Sequence, residues 1–278
     1  MDESELNFLL AALNPIAFKL GPSEVRWYGV IIASAVILAI ILAIFEGKKI
    51  GIDEDTIYDM VLWALPISIV SARLYYVVFE WSYYSQHLSE IYRIWDGGIA
   101  IYGGLIGAII TVVVFSQRRH LSAWLLFDLT APVVLLAQSI GRWGNFVNQE
   151  AHGGKTTLEV LQNLHLPGFI INQMNIDGTY YQPTFLYESL WSLVGFFILI
   201  SLRHRLHLFK RGEILFTYLI WYSFGRFFIE GMRTDSLMLF STIRVSQLLS
   251  LVIFVGSISW LLLRRYWEPQ NQWYLDGQ

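Results

Sequence analysis

Long apolar runs alternate with short polar connections along most of the chain, and this pattern predicts helices that span a membrane. A bilayer core of about 30 Å needs roughly twenty apolar residues in a helix. Charged side chains interrupt two of the runs, Arg73 in the second and Asp128 in the fourth. The fold class is therefore predicted to be all-α, a polytopic membrane bundle of seven transmembrane helices. The seven stretches lie near residues 25–45, 60–80, 98–117, 121–141, 184–202, 213–231 and 245–264.

Basic residues give this predicted bundle an orientation. Clusters of Lys and Arg follow the first, third, fifth and seventh stretches, so all of them fall on one side of the membrane. By the positive-inside rule that side is the cytoplasm, which predicts an N-terminus outside and a cytoplasmic C-terminus. The clusters are Lys48 and Lys49; Arg118 and Arg119; Arg203, Arg205, Lys210 and Arg211; and Arg264 and Arg265.

The connection over residues 142–183 is the longest and lies on the outer side in this topology. It is polar and contains Gly153, Gly154, Gly168 and Gly178, so we expect it to form a small extracytoplasmic cap. Neither an internal repeat nor a low-complexity linker divides the sequence, and residues 1–278 are expected to form a single integral membrane domain. The acidic N-terminus lacks the basic region of a cleavable signal, so the first apolar run is expected to remain in the mature protein.

The composition agrees with a membrane protein. Hydrophobic residues make up 55% of the 278 positions and charged residues 15%, whereas a soluble domain carries about a quarter charged residues. The basic residues lie in short clusters between apolar runs, so no nucleic-acid partner is expected. With no cysteine, the chain has no disulfide, thiolate metal site or cysteine nucleophile of its own. No histidine spacing indicates a metal, and no cofactor is expected.

Polar side chains within the predicted spans gather in one layer beneath the outer surface. An ionisable group in the hydrocarbon is costly, so each one requires an explanation. Arg226, Glu230 and Arg233 follow the spacing i, i+4 and i+7, which is one face of a helix. Arg142 and Asn145 are three residues apart and share a face if the helix continues there. The layer contains Tyr28, Arg73, Tyr102, Arg142, Glu188, Arg226 and Glu230.

Two explanations of these residues stay open from the sequence alone. Arg226 and Glu230 either pair only to neutralise each other, or the arginines of the layer bind an anionic ligand. The anion of an outer leaflet is a phospholipid phosphate, which Arg can bind bidentately. The glycine-rich segment 97–107 similarly allows close helix packing, or the approach of a lipid chain or peptide beside Tyr102. Asp128 is expected to form a helix–helix hydrogen bond or to serve packing, and His152 is a weaker candidate for catalysis.

The segment GRWGNFVNQEAHGG (141–154) resembles the signature of the prolipoprotein diacylglyceryl transferases, Gly-Arg-x-Gly-Asn-Phe-x-Asn-x-Glu followed by Gly three residues later. Further landmarks of that family occur in the same order, so the resemblance covers nearly the whole chain. They are RWYG (26–29), SARLYYV (71–77), YGGLIG (102–107), QPTFLYES (182–189) and GRFFIEGMR (225–233).

The resemblance implies a bacterial cell-membrane enzyme with its active site toward the outer leaflet. Its substrates would be phosphatidylglycerol and preprolipoproteins that carry a lipobox cysteine. The diacylglyceryl group would pass to the cysteine thiol, forming a thioether and releasing glycerol phosphate. By motif, the implied substrate-binding residues are Arg142, Tyr28 and Gly153, and the implied catalytic residues are Tyr102, Arg226, Glu230, Asn145 and Glu150.

One position departs from some members of the family. They have a histidine before GGLIG, to which base catalysis is assigned, whereas this chain has Tyr102. A phenol is a poor base at neutral pH, so the identity of the base stays open.

Two other function classes remain as alternatives. A transporter or flippase would distribute its polar residues through both leaflets, and a scaffold protein would not need charged groups within its spans.

Overall fold

The apolar runs form long helices in the computed structural model, which describes residues 13–21, 23–234, 238–239, 243–268 and 270–276. Each predicted stretch overlaps one long helix, and within the described residues the connections contain three shorter α-helices and two 3₁₀ helices, Leu88–Glu90 and Ile94–Asp96. In chain order the helices are α1 (Trp27–Lys49), α2 (Glu54–Phe79), α3 (Trp81–Tyr84), α4 (Ile101–Arg118), α5 (Ala123–Asn148), α6 (Leu158–Asn163), α7 (Gly168–Gln173), α8 (Thr184–Leu202), α9 (Glu213–Met232) and α10 (Val245–Trp267).

Short strands complete the secondary structure, and all their pairings are antiparallel. Two hairpins are formed by β1 (Ile16–Leu20) with β2 (Ser23–Arg26), and by β6 (Met238–Leu239) with β7 (Ile243–Arg244). A sheet between α5 and α8 has the order β3-β5-β4, with β3 (Lys155–Thr156), β4 (Asn175–Ile176) and β5 (Thr179–Tyr181).

Within the described residues, six helices are long and apolar enough to cross a membrane, namely α1, α2, α4, α5, α8 and α10. The chain is therefore a mostly helical, polytopic membrane protein. Helix α9 is not among the six, and it carries Glu213, Arg226 and Glu230 along its 20 residues. Its assignment as a seventh span stays a prediction.

Capping groups and charges mark the ends of several helices. The side chain of Asp53 accepts a hydrogen bond of 2.6 Å from the backbone N–H of Thr56 and so caps the first turn of α2. Hydrogen bonding from Thr56 also holds the pKa of the Asp53 carboxyl below its usual value. Basic pairs occupy the last turns of α1 and α10. Positive charge is stabilising there because the C-terminal end of a helix carries partial negative charge on its free carbonyl groups.

The chain divides into two compact units. The first contains the described residues up to Ile41 and Thr130–Tyr274, and the second contains Leu42–Leu129 with the end of the chain from Leu275. Helices α1 and α5 contribute residues to both units, so the prediction of a single domain stays a prediction.

In the first unit, residues 149–183 form a small folded layer that we call the cap segment. Because α5 continues to Asn148, this segment begins later than the predicted boundary at residue 142. Ile170 of this segment belongs to an apolar core together with Phe146 of α5 and Phe185 of α8. The buried side chain of Gln173 donates hydrogen bonds of 3.1 Å to the carbonyl oxygens of Phe146 and Val147. These bonds reach carbonyl groups in the last turn of α5, where regular helical hydrogen bonding ends, and the carbonyl oxygen of Phe146 also accepts from the backbone N–H of Gln149 at 3.2 Å.

In the second unit, α2 and α4 pack closely and antiparallel because glycines of α4 face α2. A Cβ atom at Gly103 would lie 2.4 Å from Cβ of Tyr75 and 2.6 Å from the carbonyl oxygen of Ser71. A Cβ atom at Gly107 would lie 2.7 Å from Cβ of Ser71. The packing explanation of the glycine-rich segment therefore holds for Gly103 and Gly107.

Arg73, which lies in α2, binds the connection between α2 and α4 rather than a carboxylate. Its guanidinium donates four hydrogen bonds of 2.7–2.8 Å to backbone carbonyl oxygens of residues 90, 91, 97 and 98. It also lies over the ring of Tyr84, 5.1 Å from the centroid. The buried charge of Arg73 is thus explained by structure, because these bonds hold residues 80–100 against α2.

We expect Gly103→Ala to lower the free energy of unfolding by about 1–3 kcal/mol, because the added methyl group overlaps the backbone of α2. Thermal unfolding of the purified protein in detergent measures this effect. Gly104→Ala is the matched control, since its Cβ would make only ordinary contacts at 3.6–3.7 Å. Equal melting temperatures for the two variants would contradict the packing explanation.

Candidate functional site

Three helices of the first unit bring charged side chains together in what we call the arginine cluster. Arg142 comes from α5, Glu188 from the second turn of α8, and Arg226 and Glu230 from the last turns of α9. Arg233 follows directly after α9. The cluster thus combines three guanidinium groups with two carboxylates, which leaves a formal surplus of one positive charge among these five side chains.

Glu188 is the centre of the arginine cluster because it contacts all three arginines. Its Oε2 lies 2.5 Å from Nε of Arg142, and its Oε1 lies 2.7 Å from Nη1 of Arg226. Nη1 of Arg233 is more distant from Oε1, at 3.9 Å. Only 8% of the Glu188 side chain is exposed. A buried carboxylate is stable only when it is paired in this way.

Arg226 connects the two carboxylates of the cluster. Its Nη2 lies 2.5 Å from Oε2 of Glu230, one turn further along α9. The spacing of the sequence therefore predicted a contact that the structure contains. Arg226 does not serve only to neutralise Glu230, because its Nη1 reaches Glu188. Arg244 fixes the same end of α9 by donating a hydrogen bond of 2.8 Å to the backbone carbonyl oxygen of Glu230.

Arg142 and Asn145 lie on one helical stretch, since α5 continues through Asn148. Asn145 donates from Nδ2 to Oε1 of Glu150 at 3.0 Å, and the backbone N–H of Glu150 donates to the carbonyl oxygen of Asn145 at 3.0 Å. Tyr28 of α1 packs against the same turn of α5, because a Cβ atom at Gly144 would be 2.6 Å from its Cδ2. The signature residues of α5 therefore have neighbours from both α1 and the cap segment.

The backbone at Gly153 joins the cap segment to the arginine cluster. Gly153 pairs with Arg233 in an antiparallel bridge, and the N–H of Gly154 donates to the carbonyl oxygen of Met232 at 3.0 Å. The N–H of Gly153 donates to the carbonyl oxygen of Gln182 at 2.9 Å. A Cβ atom at Gly153 would lie 2.8 Å from Cβ of Gln182, so a larger residue would push these strands apart.

His152 lies beside this bridge with its ring against that of Tyr181, at a centroid distance of 4.1 Å. Its Nδ1 is 3.1 Å from the carbonyl oxygen of Gly153. Because a carbonyl can only accept, Nδ1 is the donor in this contact.

The structure brings seven of the eight sequence-predicted site residues into the first unit, and Tyr102 belongs to the second. Tyr102 is the second residue of α4 and 39% of it is exposed. The sequence placed Glu188 in the polar layer but gave it no role, although it is the centre of the arginine cluster. Arg244 was missed, because one arginine after an unpatterned connection carries no local signal.

Nearly the whole chain is similar to proteins of one family. The family model described as prolipoprotein diacylglyceryl transferase matches residues 15–263. A phosphatidylglycerol–prolipoprotein diacylglyceryl transferase of Ligilactobacillus salivarius is 63% identical over 271 residues, which are 98% of this chain and 100% of the relative. Proteins of the same name from Lactiplantibacillus plantarum and Lactobacillus gasseri are 60% and 58% identical. They align over 98% and 96% of this chain, and over 96% and 95% of their own lengths.

We expect Glu188→Gln to lower the free energy of unfolding by about 3–5 kcal/mol, because it leaves buried arginines without their shared carboxylate. Inorganic phosphate should then raise the melting temperature of this variant more than that of the unchanged chain. Glu150→Gln is the control, since Glu150 is exposed and its Oε1 accepts hydrogen bonds from the side chains of Asn145 and Asn148. If both variants melt alike, with or without phosphate, Glu188 does not hold the cluster together.

Proposed function

The chain belongs to the prolipoprotein diacylglyceryl transferase family, and on that premise we propose that it transfers the diacylglyceryl group of phosphatidylglycerol to a prolipoprotein. The acceptor is the thiol of the lipobox cysteine, and the products are a thioether and glycerol phosphate. The observation that carries this proposal is the buried arginine cluster, in which one carboxylate orients arginines of two helices.

The reaction is a substitution at a carbon of glycerol. A sulfur–carbon bond forms, a carbon–oxygen bond to phosphate breaks, and the thiol proton is lost. The bonding electrons leave with the phosphate oxygen, so the main electrostatic demand is to stabilise charge on the departing glycerol phosphate. Preorganised cationic donors meet this demand best where water is excluded.

Arg142 is suited to bind the phosphate directly. Glu188 contacts its Nε, and a guanidinium carries further N–H donors on its two terminal nitrogens. Two parallel N–H donors match two phosphate oxygens. Arg142 is also the most exposed arginine of the cluster, at 23%, against 16% for Arg226 and 13% for Arg233.

Arg226 has a different task, because both of its terminal nitrogens already contact carboxylates. Glu188 and Glu230 hold it from two sides. It contributes fixed positive charge beside the phosphate, and Glu230 orients it. The roles of the two arginines are therefore complementary, with Arg142 as the phosphate ligand and Arg226 as the charge that supports it.

The remaining site residues act on the headgroup and the acceptor. Asn145, oriented by Glu150, is placed to donate a hydrogen bond to the phosphatidylglycerol headgroup. Tyr28 supports the turn of α5 that carries Arg142, and Gly153 ties the cap segment to Arg233. A free thiol has a pKa of about 8.5, which a cationic site lowers. The arginine cluster thus activates the substrate cysteine, and Tyr102 positions the thiol or relays its proton.

The proposed setting is a bacterial cell membrane with the site toward the outer leaflet. Helix α9 acts as the seventh span, the N-terminus lies outside, and the cap segment is extracytoplasmic. The basic clusters at the ends of α1, α4, α8 and α10 support this orientation. Phosphatidylglycerol enters from the bilayer and the prolipoprotein presents its lipobox beside it. A transporter or a scaffold protein would not form a covalent product.

We expect Arg142→Ala to reduce transfer roughly 100- to 1,000-fold, because a charge-stabilising donor is lost, and Tyr102→Phe to keep most of the activity. Purified protein in nanodiscs is given phosphatidylglycerol and a lipobox peptide, and the thioether-linked lipopeptide is quantified by mass spectrometry. Lys155→Ala, on the exposed surface of the cap segment, is the control. The opposite order, with Tyr102→Phe inactive and Arg142→Ala active, would reject the electrostatic mechanism.

Single cysteines test the orientation, since the unchanged chain contains none and gives a blank background. We expect Lys155→Cys to react with a membrane-impermeant maleimide in intact cells. Lys48→Cys, which replaces an exposed side chain at the end of α1, should react only after permeabilisation. Labelling in the reverse order would overturn the proposed topology.

A further inference from the structure

Helices α8 and α9 carry the same five-residue pattern, a tryptophan followed four residues later by a glycine. The segments are WSLVG (191–195) in α8 and WYSFG (221–225) in α9. The two tryptophans are stacked, with ring centroids 4.2 Å apart and planes inclined by 12°. The two copies of the pattern therefore pack against each other where α8 and α9 meet.

Hydrogen bonds make the contact between the tryptophans reciprocal. Nε1 of Trp191 donates to the backbone carbonyl oxygen of Trp221 at 2.9 Å, and Nε1 of Trp221 donates to that of Trp191 at 2.9 Å. Each indole therefore binds the backbone of the opposite helix as well as the opposite ring.

The glycines allow the indoles to approach this closely. A Cβ atom at Gly195 would lie 2.3 Å from Nε1 of Trp221, and one at Gly225 would lie 2.2 Å from Nε1 of Trp191. No side chain fits at either position without moving a ring or a helix. The two Trp–Gly contacts are equivalent, so a local twofold relation connects the two segments.

This arrangement lies next to the arginine cluster. Glu188 precedes Trp191 by one helical turn on α8, and Arg226 directly follows Gly225 on α9. We propose that the tryptophan pair sets the axial register between α8 and α9, and that Trp191 and Trp221 are positioning residues for the contact between Glu188 and Arg226. The inference rests on the proposed transferase function for its activity readout.

The physical reason is that apolar helices in lipid gain little from burial against each other. Packing and interhelical hydrogen bonds therefore decide how two helices align. A slip by one residue moves a helix by about 1.5 Å along its axis. Such a slip would break both indole hydrogen bonds and separate the 2.7 Å contact of Glu188 with Arg226. The reciprocal pair opposes a slip in either direction.

The test is a double-mutant cycle between Trp221→Phe and Glu188→Gln. Trp221→Phe keeps an aromatic ring and removes its hydrogen bond, and we expect kcat for transfer to fall about three- to tenfold. In the Glu188→Gln background the same substitution should cause no further loss, because the contact that it positions is already gone. Trp260→Phe on α10 is the matched control and should leave kcat unchanged in both backgrounds.

A merely structural role for the tryptophans would reduce kcat by the same factor in both backgrounds, and that additive result would overturn the proposal. If Trp221→Phe does not fold, Trp191→Phe makes the same test from α8. The cycle is also measured in melting temperatures, which need no turnover. If the unchanged chain transfers no lipid, the proposed function fails, and coupling or additivity in the melting temperatures then decides this inference separately.

Discussion

The ion pairs between Glu188 and the neighbouring arginines are the interaction on which the arginine cluster depends. Burying the charge of Glu188 alone within a membrane-spanning helix would cost free energy, and so would burying each of the arginines around it. Together they offset one another because one carboxylate forms ion pairs with Arg142 on α5 and Arg226 on α9, with Arg233 near by. The same contact that makes these charges tolerable also orients two cationic groups toward one place. Stability and chemistry are therefore coupled at a single side chain.

The surrounding backbone keeps this contact in place from two directions. On the side of the cap segment, Gly153 and Gly154 bind the end of α9 through main-chain hydrogen bonds. On the opposite side, the stacked tryptophans hold α8 and α9 together. Arg226 lies on the stretch of α9 between these two attachments, so a displacement there would disturb at least one of them. In the proposed mechanism, preorganisation of this kind means that little movement is needed when charge develops on a bound phosphate.

The sequence predicted the parts of this protein whose signals are local. Apolar length identified the long helices, and helical spacing identified the contact of Arg226 with Glu230. Parts that depend on how helices meet could not be predicted in the same way. Glu188 is one polar residue in an apolar helix until α5 and α9 are aligned with it. Arg73 is likewise a charged residue within a predicted span, yet its partners are backbone carbonyl groups. Every residue has such a group, so the sequence does not indicate which ones Arg73 binds.

The binding of Arg73 to carbonyl oxygens has a consequence for how this protein can evolve. Because the guanidinium of Arg73 binds main-chain carbonyl oxygens, its hydrogen bonds depend on the backbone path of the connection over residues 80–100. They do not depend on most of the side chains in this connection. Gly97 and Gly98 are exceptions, since their φ values of 87° and 73° favour glycine, and a Cβ at Gly98 would lie 2.5 Å from Nη1 of Arg73. The exposed aromatic residues of this connection, among them Trp81, Tyr92 and Trp95, can then change without loss of these hydrogen bonds. The framework beneath them would remain as it is.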